Sequence, residues 1–99
     1  MSFRTILEKV TAGATKASPL GKTLKFDFGG NKIFLDGTGE GNLVSTDDKP
    51  ADCTIAVSEE DLLGIMSGAT NPMMAFMSGK IKVQGDMSVA MKLQSLFKQ

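Results

Sequence analysis

Apolar and polar residues follow two periods along the chain. Phe3, Ile6, Leu7 and Val10 recur at i, i+3, i+4 and i+7, with Arg4, Thr5, Glu8 and Lys9 between them. That spacing predicts an amphipathic helix over residues 3–10, with Ser2 as its N-cap. Residues 11–22, punctuated by Gly13, Pro19 and Gly21, read as a loop, although Thr11 to Ala17 can extend the helix. So short a helix is marginal alone and has to dock. It either covers a sheet or serves as a mobile lid or membrane-touching element. From Leu24 the period falls to two. Leu24, Phe26 and Phe28 alternate with Lys25 and Asp27, Gly29-Gly30-Asn31 supplies a hairpin turn, and Ile33 and Leu35 continue the alternation with Phe34 on the other face. Gly37 to Gly41 turns the chain into a third strand near Asn42 to Thr46. A fourth, Asp52 to Val57, puts Cys53, Ile55 and Val57 on one face.

Helical spacing then returns. Ser58 caps a helix whose apolar face is Leu62, Ile65 and Met66, with Leu63 on the flank and Gly68 as its stop. Asn71 caps the next, Pro72 suits its first turn, Met73, Phe76 and Met77 recur at i, i+3, i+4, and Gly79 ends it. Lys80 to Gln84 is a fifth strand with Ile81 and Val83 inward. Gly85 turns, and Asp86 caps a last helix over Met87 to Phe97. On that helix Val89, Ala90, Leu93, Leu96 and Phe97 share one face. Met87 and Met91 fall on a neighbouring stripe, and Ser88, Lys92 and Ser95 lie opposite. The apolar surface is wider than one sheet contact requires. The excess is ligand wall, partner surface or ordinary core.

Composition sharpens that choice. Of seven methionines, Met66, Met73, Met74, Met77 and Met87 crowd one segment and Met91 follows. Methionine is unbranched and polarizable and repacks around irregular shapes, so a Met/Phe core can accept an apolar guest as well as simply fill itself. The length of 99 residues and the 41% apolar content are those of one globular domain, spanning residues 1–99. No apolar run approaches a membrane span, and no signal pattern opens the chain. Phe97-Lys98-Gln99 is not a peroxisomal tripeptide, so cytoplasm is the expected location.

The chain has no histidine and a single cysteine, Cys53. Imidazole catalysis, an internal disulfide and a Cys-based zinc site are therefore excluded, and weight moves from enzyme to binding module. Cys53 reads as a small buried hydrophobe. Glu59, Glu60 and Asp61 sit in a first helical turn, where carboxylates complement the helix dipole without catalysis. The Gly-rich turn 37–41 leads into a strand and carries Glu40, the opposite of a phosphate cradle. Asp47 and Asp48 are too few oxygen ligands for a hard metal and read as a solvated loop. Net charge is zero but unevenly placed: residues 1–35 carry +4, residues 36–61 carry −7 and residues 62–99 carry +3. If the two ends meet, one face is basic and open to a weak, salt-sensitive contact with an anionic membrane surface. Nucleic acid is not expected as a partner, since there is one arginine, no Trp or Tyr and no basic run.

From Ala51-Asp52-Cys53-Thr54-Ile55 onward the chain resembles the sterol carrier protein type 2 family. The resemblance strengthens through Asn71-Pro72, Ala75-Phe76, Gly79-Lys80-Ile81-Lys82, Gly85-Asp86-Met87 and Ala90-Met91-Lys92-Leu93-Gln94, and covers about the last half of the chain. It implies an α+β fold: a five-stranded, mainly antiparallel sheet covered on one face by helices, with an apolar tunnel between the layers. It implies non-catalytic binding and intracellular transfer of fatty acid, acyl-CoA, phospholipid or sterol, with no cofactor and no metal. An accessory subunit presenting a lipid or isoprenoid intermediate to a partner enzyme is the alternative. Carried over by position, Leu62, Met66, Phe76, Met77, Met87, Ala90, Met91 and Leu93 would line or flank the tunnel. The short first helix and loop, the tight turn between the first two strands and the missing peroxisomal tripeptide depart from the family's pattern.

Overall fold

A computed structural model describes residues 3–97, and the side chains of that stretch other than Pro72 and residues 93–97. The period-two segments become β1 (Thr23–Asp27), β2 (Lys32–Asp36), β3 (Leu43–Ser45), β4 (Cys53–Val57) and β5 (Ile81–Gly85). They form one sheet in the order β3-β2-β1-β4-β5. The central pair β1/β4 is parallel and the other three pairs are antiparallel. The sheet is therefore mixed, with the antiparallel majority expected. Register puts Leu24 beside Leu35 and Cys53, and Phe26 beside Ile33 and Ile55. These side chains are all buried and form the inner face.

The helices cover that face. Helix α1 (Phe3–Lys16) is longer than the expected 3–10 and takes the open extension to its end. Gly13 and Ala14 lie on its buried side with Ile6 and Val10, so packing offsets the roughly 1 kcal/mol that a helical glycine costs. α1 packs on β3, on α2 (Glu59–Ser67) and on α4 (Met87–Phe97), so the two ends of the chain do meet. Its apolar stripe is used up in this packing: Ile6 and Val10 are buried, and Phe3 and Leu7 pack against the core. The surface that a membrane-touching first helix would need is covered. Phe3 also stands edge-on to Phe28, with ring centroids 5.9 Å apart.

The opposite sheet face is partly roofed by the β3–β4 connection. Asp48 Oδ1 takes a hydrogen bond from Lys25 Nζ at 2.8 Å, and the Lys49 ammonium lies 5.4 Å from the Phe34 ring centre. Phe34 is buried on that outer side. Asp47 and Asp48 are thus lysine-paired roof residues, with Lys49 Nζ 3.4 Å from Asp47.

Two polar knots hold the connections. Asn42 is buried; its Oδ1 accepts from Leu20 N at 3.0 Å and its Nδ2 donates to Ala14 O and Ser18 O at 3.0 and 3.1 Å. It lies just before β3, which is shorter than the expected Asn42–Thr46 strand. Gly37 passes so close that a Cβ there would stand 2.6 Å from Asn42 Oδ1 and from Leu20 N. The second knot joins β1 to β4. Thr23 N and Oγ1 donate to Asp52 Oδ2, Asp52 N donates to Thr23 Oγ1, and Asp52 O accepts from Asp86 N at 2.9 Å. Gly85, at φ +97°, has Asp52 O 2.3 Å from where a Cβ would be, so no other residue turns the chain there without displacing β4.

Helix α2 obeys its periodicity. Ser58 Oγ accepts from Asp61 N at 3.0 Å, and Leu62, Leu63 and Ile65 are buried. Gly68, left-handed, closes it by donating to Ile65 O.

Candidate functional site

Helix α3 (Pro72–Met77) and α4 join the two ends of β5, and both pack on that edge strand. α3 is built by its caps. Asn71 Oδ1 accepts from Met73 N at 2.8 Å and Met74 N at 3.4 Å, Pro72 opens the first turn, and Ser78 N returns to Met74 O. Lys80 N then donates to Ala75 O at 2.9 Å and brings the helix back onto β5. With fewer than two turns, α3 is oriented by these tethers, not by its own apolar periodicity. Ala75 is its buried residue, while Met73, Phe76 and Met77, which recur at helical spacing, are exposed, as is Met74. A small side chain is what allows the backbone of α3 so near the sheet edge.

Asp86 immediately precedes helix α4. Its Oδ1 accepts from Ser88 N at 2.9 Å and Ser88 Oγ at 2.6 Å, while Oδ2 is paired with Lys22 Nζ. The lysine contact and the serine bonds hold the Asp86 carboxyl well below the usual carboxylate range, and the same contact raises Lys22. Val89 is fully buried, and Lys92 Nζ donates to Leu20 O at 3.0 Å, binding α4 to the α1–β1 loop.

Among the sequence-derived site residues, Leu62 is in the core, and Met66 and Ala90 are half-buried against it. The other four described ones are open to solvent: Phe76 is 45% exposed, Met77 78%, Met87 49% and Met91 74%. The Leu93 side chain lies outside the described residues. Met87 and Met91 do flank the buried face of α4, where the helical spacing put them. The arrangement is a set of exposed Met and Phe side chains on two helices that each pack on the edge strand, with Met66 and Ala90 half-buried against the core. Met73 and Met74, 60% and 64% exposed, extend it. The sequence named them without placing them at a site. The one signal available was that a six-residue helix with four large apolar side chains cannot bury them all.

The chemistry on offer is apolar contact. Cys53 is fully buried and burial pushes its thiol up, so it is no nucleophile. Asp86 is committed to Lys22 and Ser88, and Asp61 lies in the first turn of α2. Among the described residues no group of three or more His, Cys, Asp or Glu could hold a metal ion. An open cleft of about 350 Å³ lined by Phe3, Gly30, Asn31, Lys32, Thr46 and Asp48 lies elsewhere and contains none of the candidate residues. Among the described residues, no helix is long and apolar enough to cross a membrane.

Known proteins share both sequence and fold with this one. Sterol carrier protein 2 of Rattus norvegicus is 52% identical over 58 residues, 59% of this chain and 11% of that protein. The chain thus spans between about a tenth and a quarter of the length of the curated relatives it matches. The solution structure of palmitated SCP2L2 from Aedes aegypti superposes with a TM-score of 0.71 at 25% identity, over 100% of this chain and 96% of that one. The ubiquinone synthesis protein UbiJ-SCP2 shares the fold with a TM-score of 0.71 at 20% identity, over 95% of this chain and 90% of that one. The profile of the SCP-2 sterol transfer family matches residues 3–98, and the chain belongs to that family.

Proposed function

We propose that the chain binds the acyl or other apolar part of a lipid on the Met/Phe surface of α3 and α4 and carries it without chemistry of its own. The observation that carries this reading is the exposure of Phe76, Met77, Met87 and Met91 on two helices that both pack on β5, in a member of this family. Leu62 backs the surface from the core, and Leu93 belongs to the same proposed set. A relative matching the whole chain at 25% identity was solved in palmitated form, which supports a fatty acyl chain as the ligand class. The energetics suffice. Burying about ten methylenes contributes roughly 8 kcal/mol, and association and ordering costs reduce that to an affinity on the order of micromolar. No described residue at this surface pairs a nucleophile with a base.

A second reading shares the surface: the lipid or isoprenoid is held for a partner enzyme. The openness of the helices favours it, since a tail lying there remains accessible. It predicts a stable protein partner and slow transfer between vesicles, where the carrier reading predicts fast transfer.

The test is a titration of delipidated protein with an environment-sensitive fluorescent fatty acid, read against low background because the chain lacks Trp and Tyr. Saturation near one ligand per chain is expected, and Met77→Arg weakens it at least about ten-fold with the circular dichroism spectrum unchanged. Met77 is exposed, so the variant keeps the core intact. No saturable binding by the folded protein would overturn the reading.

A further inference from the structure

Methionine is ordinarily a buried residue. Of this chain's seven methionines, however, Met73, Met74, Met77, Met87 and Met91 are between 49% and 78% exposed. All of them lie on α3 or α4. Among the described residues the buried apolar core is built of Ile, Val, Leu, Ala, Phe and Cys53 and contains no methionine, although Met66 is half-buried against it. The other side chains that oxidants attack are missing or shielded. The chain has no His, Trp or Tyr. Its one thiol, Cys53, is fully buried, and burial keeps it protonated and unreactive. A mild oxidant therefore meets thioethers before anything else, and meets them on the two helices of the candidate site.

We infer that Met77, Met87 and Met91 form a reversible oxidation switch: a peroxide-class oxidant converts their thioethers to sulfoxides, and the protein, still folded, loses its hold on lipid. The sulfur lone pair attacks one peroxide oxygen, the O–O bond breaks and an S–O bond forms. The proton of the transferred oxygen passes to the departing hydroxide, giving water, and the peroxide gains the electron pair that sulfur gives up. Methionine sulfoxide reductases reverse the step with two thiols, which become a disulfide while the sulfoxide oxygen leaves as water. A sulfoxide is polar where the thioether was apolar, so the contact offered to an acyl chain is removed. The fold survives because none of the three side chains belongs to the core. Met73 and Met74 are equally open but stand outside the proposed ligand set, so they report exposure without reporting the ligand. The inference rests on the lipid-binding reading, because that reading gives the three methionines their ligand.

The test treats the delipidated full chain with hydrogen peroxide, maps the sulfoxides by peptide mass spectrometry and titrates the same samples with fluorescent fatty acid. Sulfoxide is expected at Met73, Met74, Met77, Met87 and Met91 ahead of Met66, with Cys53 still reduced and the circular dichroism spectrum unchanged. Fatty-acid affinity falls at least about ten-fold. The two methionine sulfoxide reductases, one for each sulfoxide epimer, restore it in the presence of dithiothreitol. Each variant is compared with itself before and after peroxide. M73L/M74L loses as much affinity as the parent, whereas M77L/M87L/M91L loses less than about two-fold from its own starting value. Oxidised, folded protein that binds fatty acid as tightly as before would overturn the switch and leave the ligand reading standing. No saturable binding before oxidation would overturn the ligand reading and the switch with it. A loss of affinity that M77L/M87L/M91L does not prevent, that the reductases do not reverse, or that accompanies loss of the circular dichroism spectrum would also overturn the switch.

Discussion

At the scale of single residues, polar side chains carry more of the architecture than their number suggests. Asn42 satisfies one amide and two carbonyls from the end of α1 and the loop after it, at a buried position. Asn42→Ala leaves those backbone groups unpaired, each at a cost of about 1–3 kcal/mol when buried. A loss of about 3 kcal/mol in urea unfolding is expected; a loss under about 1 kcal/mol would show that water takes over the bonds. Periodicity could not have found this residue, because a strand-like pattern says nothing about a side chain reaching across to a helix end. What periodicity does read is the set of apolar side chains with a fixed partner. Leu24, Phe26, Ile33, Leu35, Cys53, Ile55 and Val57 all stand where strand alternation puts them.

The elements divide along the same line. Strands β1, β2, β4 and β5 and helices α2 and α4 were legible because each repeats its period long enough to have one face. α3 was legible in its boundaries, through Asn71, Pro72 and Gly79, but not in its orientation. Six residues held at both ends turn as the tethers dictate, and Ala75 faces inward in place of the methionines. The candidate site divides in the same way: Leu62 on α2 and Val89 beside Ala90 on α4 lie where their helical faces require, while the exposure of Phe76 and Met77 follows from α3 being too short to bury four large apolar side chains. A helix anchored by one alanine opens easily. Amide hydrogen exchange at Met74 to Ser78 is therefore expected to be among the fastest of the helical amides in delipidated protein, and to slow at least about ten-fold when lipid is bound. Equal exchange in the two states would place the ligand elsewhere.

Over the whole molecule, the charge blocks of the sequence become a spatial pattern. The acidic middle of the chain supplies partners to the basic first third: Asp48 to Lys25 and Glu59 to Asn31. In the last third, no ion pair engages Lys80 or Lys82 among the described residues. Asp86, Asp27, Asp36 and Asp48 all hold their protons less tightly folded than in an ordinary carboxyl. The causes are Lys22 for Asp86, the Gly29 amide for Asp27, the Thr38 hydroxyl for Asp36 and Lys25 for Asp48. A carboxyl whose folded pKa is depressed stabilises the fold above its unfolded value, and that contribution is lost as pH falls through the folded one. The melting temperature is therefore expected to be level from neutrality to about pH 5 and to drop below about pH 4, with a smaller drop in Asp86→Asn. A melting curve flat down to pH 2 would show these contacts to be inconsequential in solution. The same layering places α3 and α4 against the edge strand β5, with Phe76, Met77, Met87 and Met91 open to solvent.

The claim that an acyl chain lies on α3 and α4 is tested most directly by the carbon-13 methyl resonances of the methionines, recorded as delipidated protein is titrated with palmitate. The signals of Met66, Met77, Met87 and Met91 are expected to shift together and saturate near one equivalent, with relaxation enhancement at the same methyls when the acyl chain carries a spin label. Saturable binding that leaves these four methyls unmoved would contradict the account.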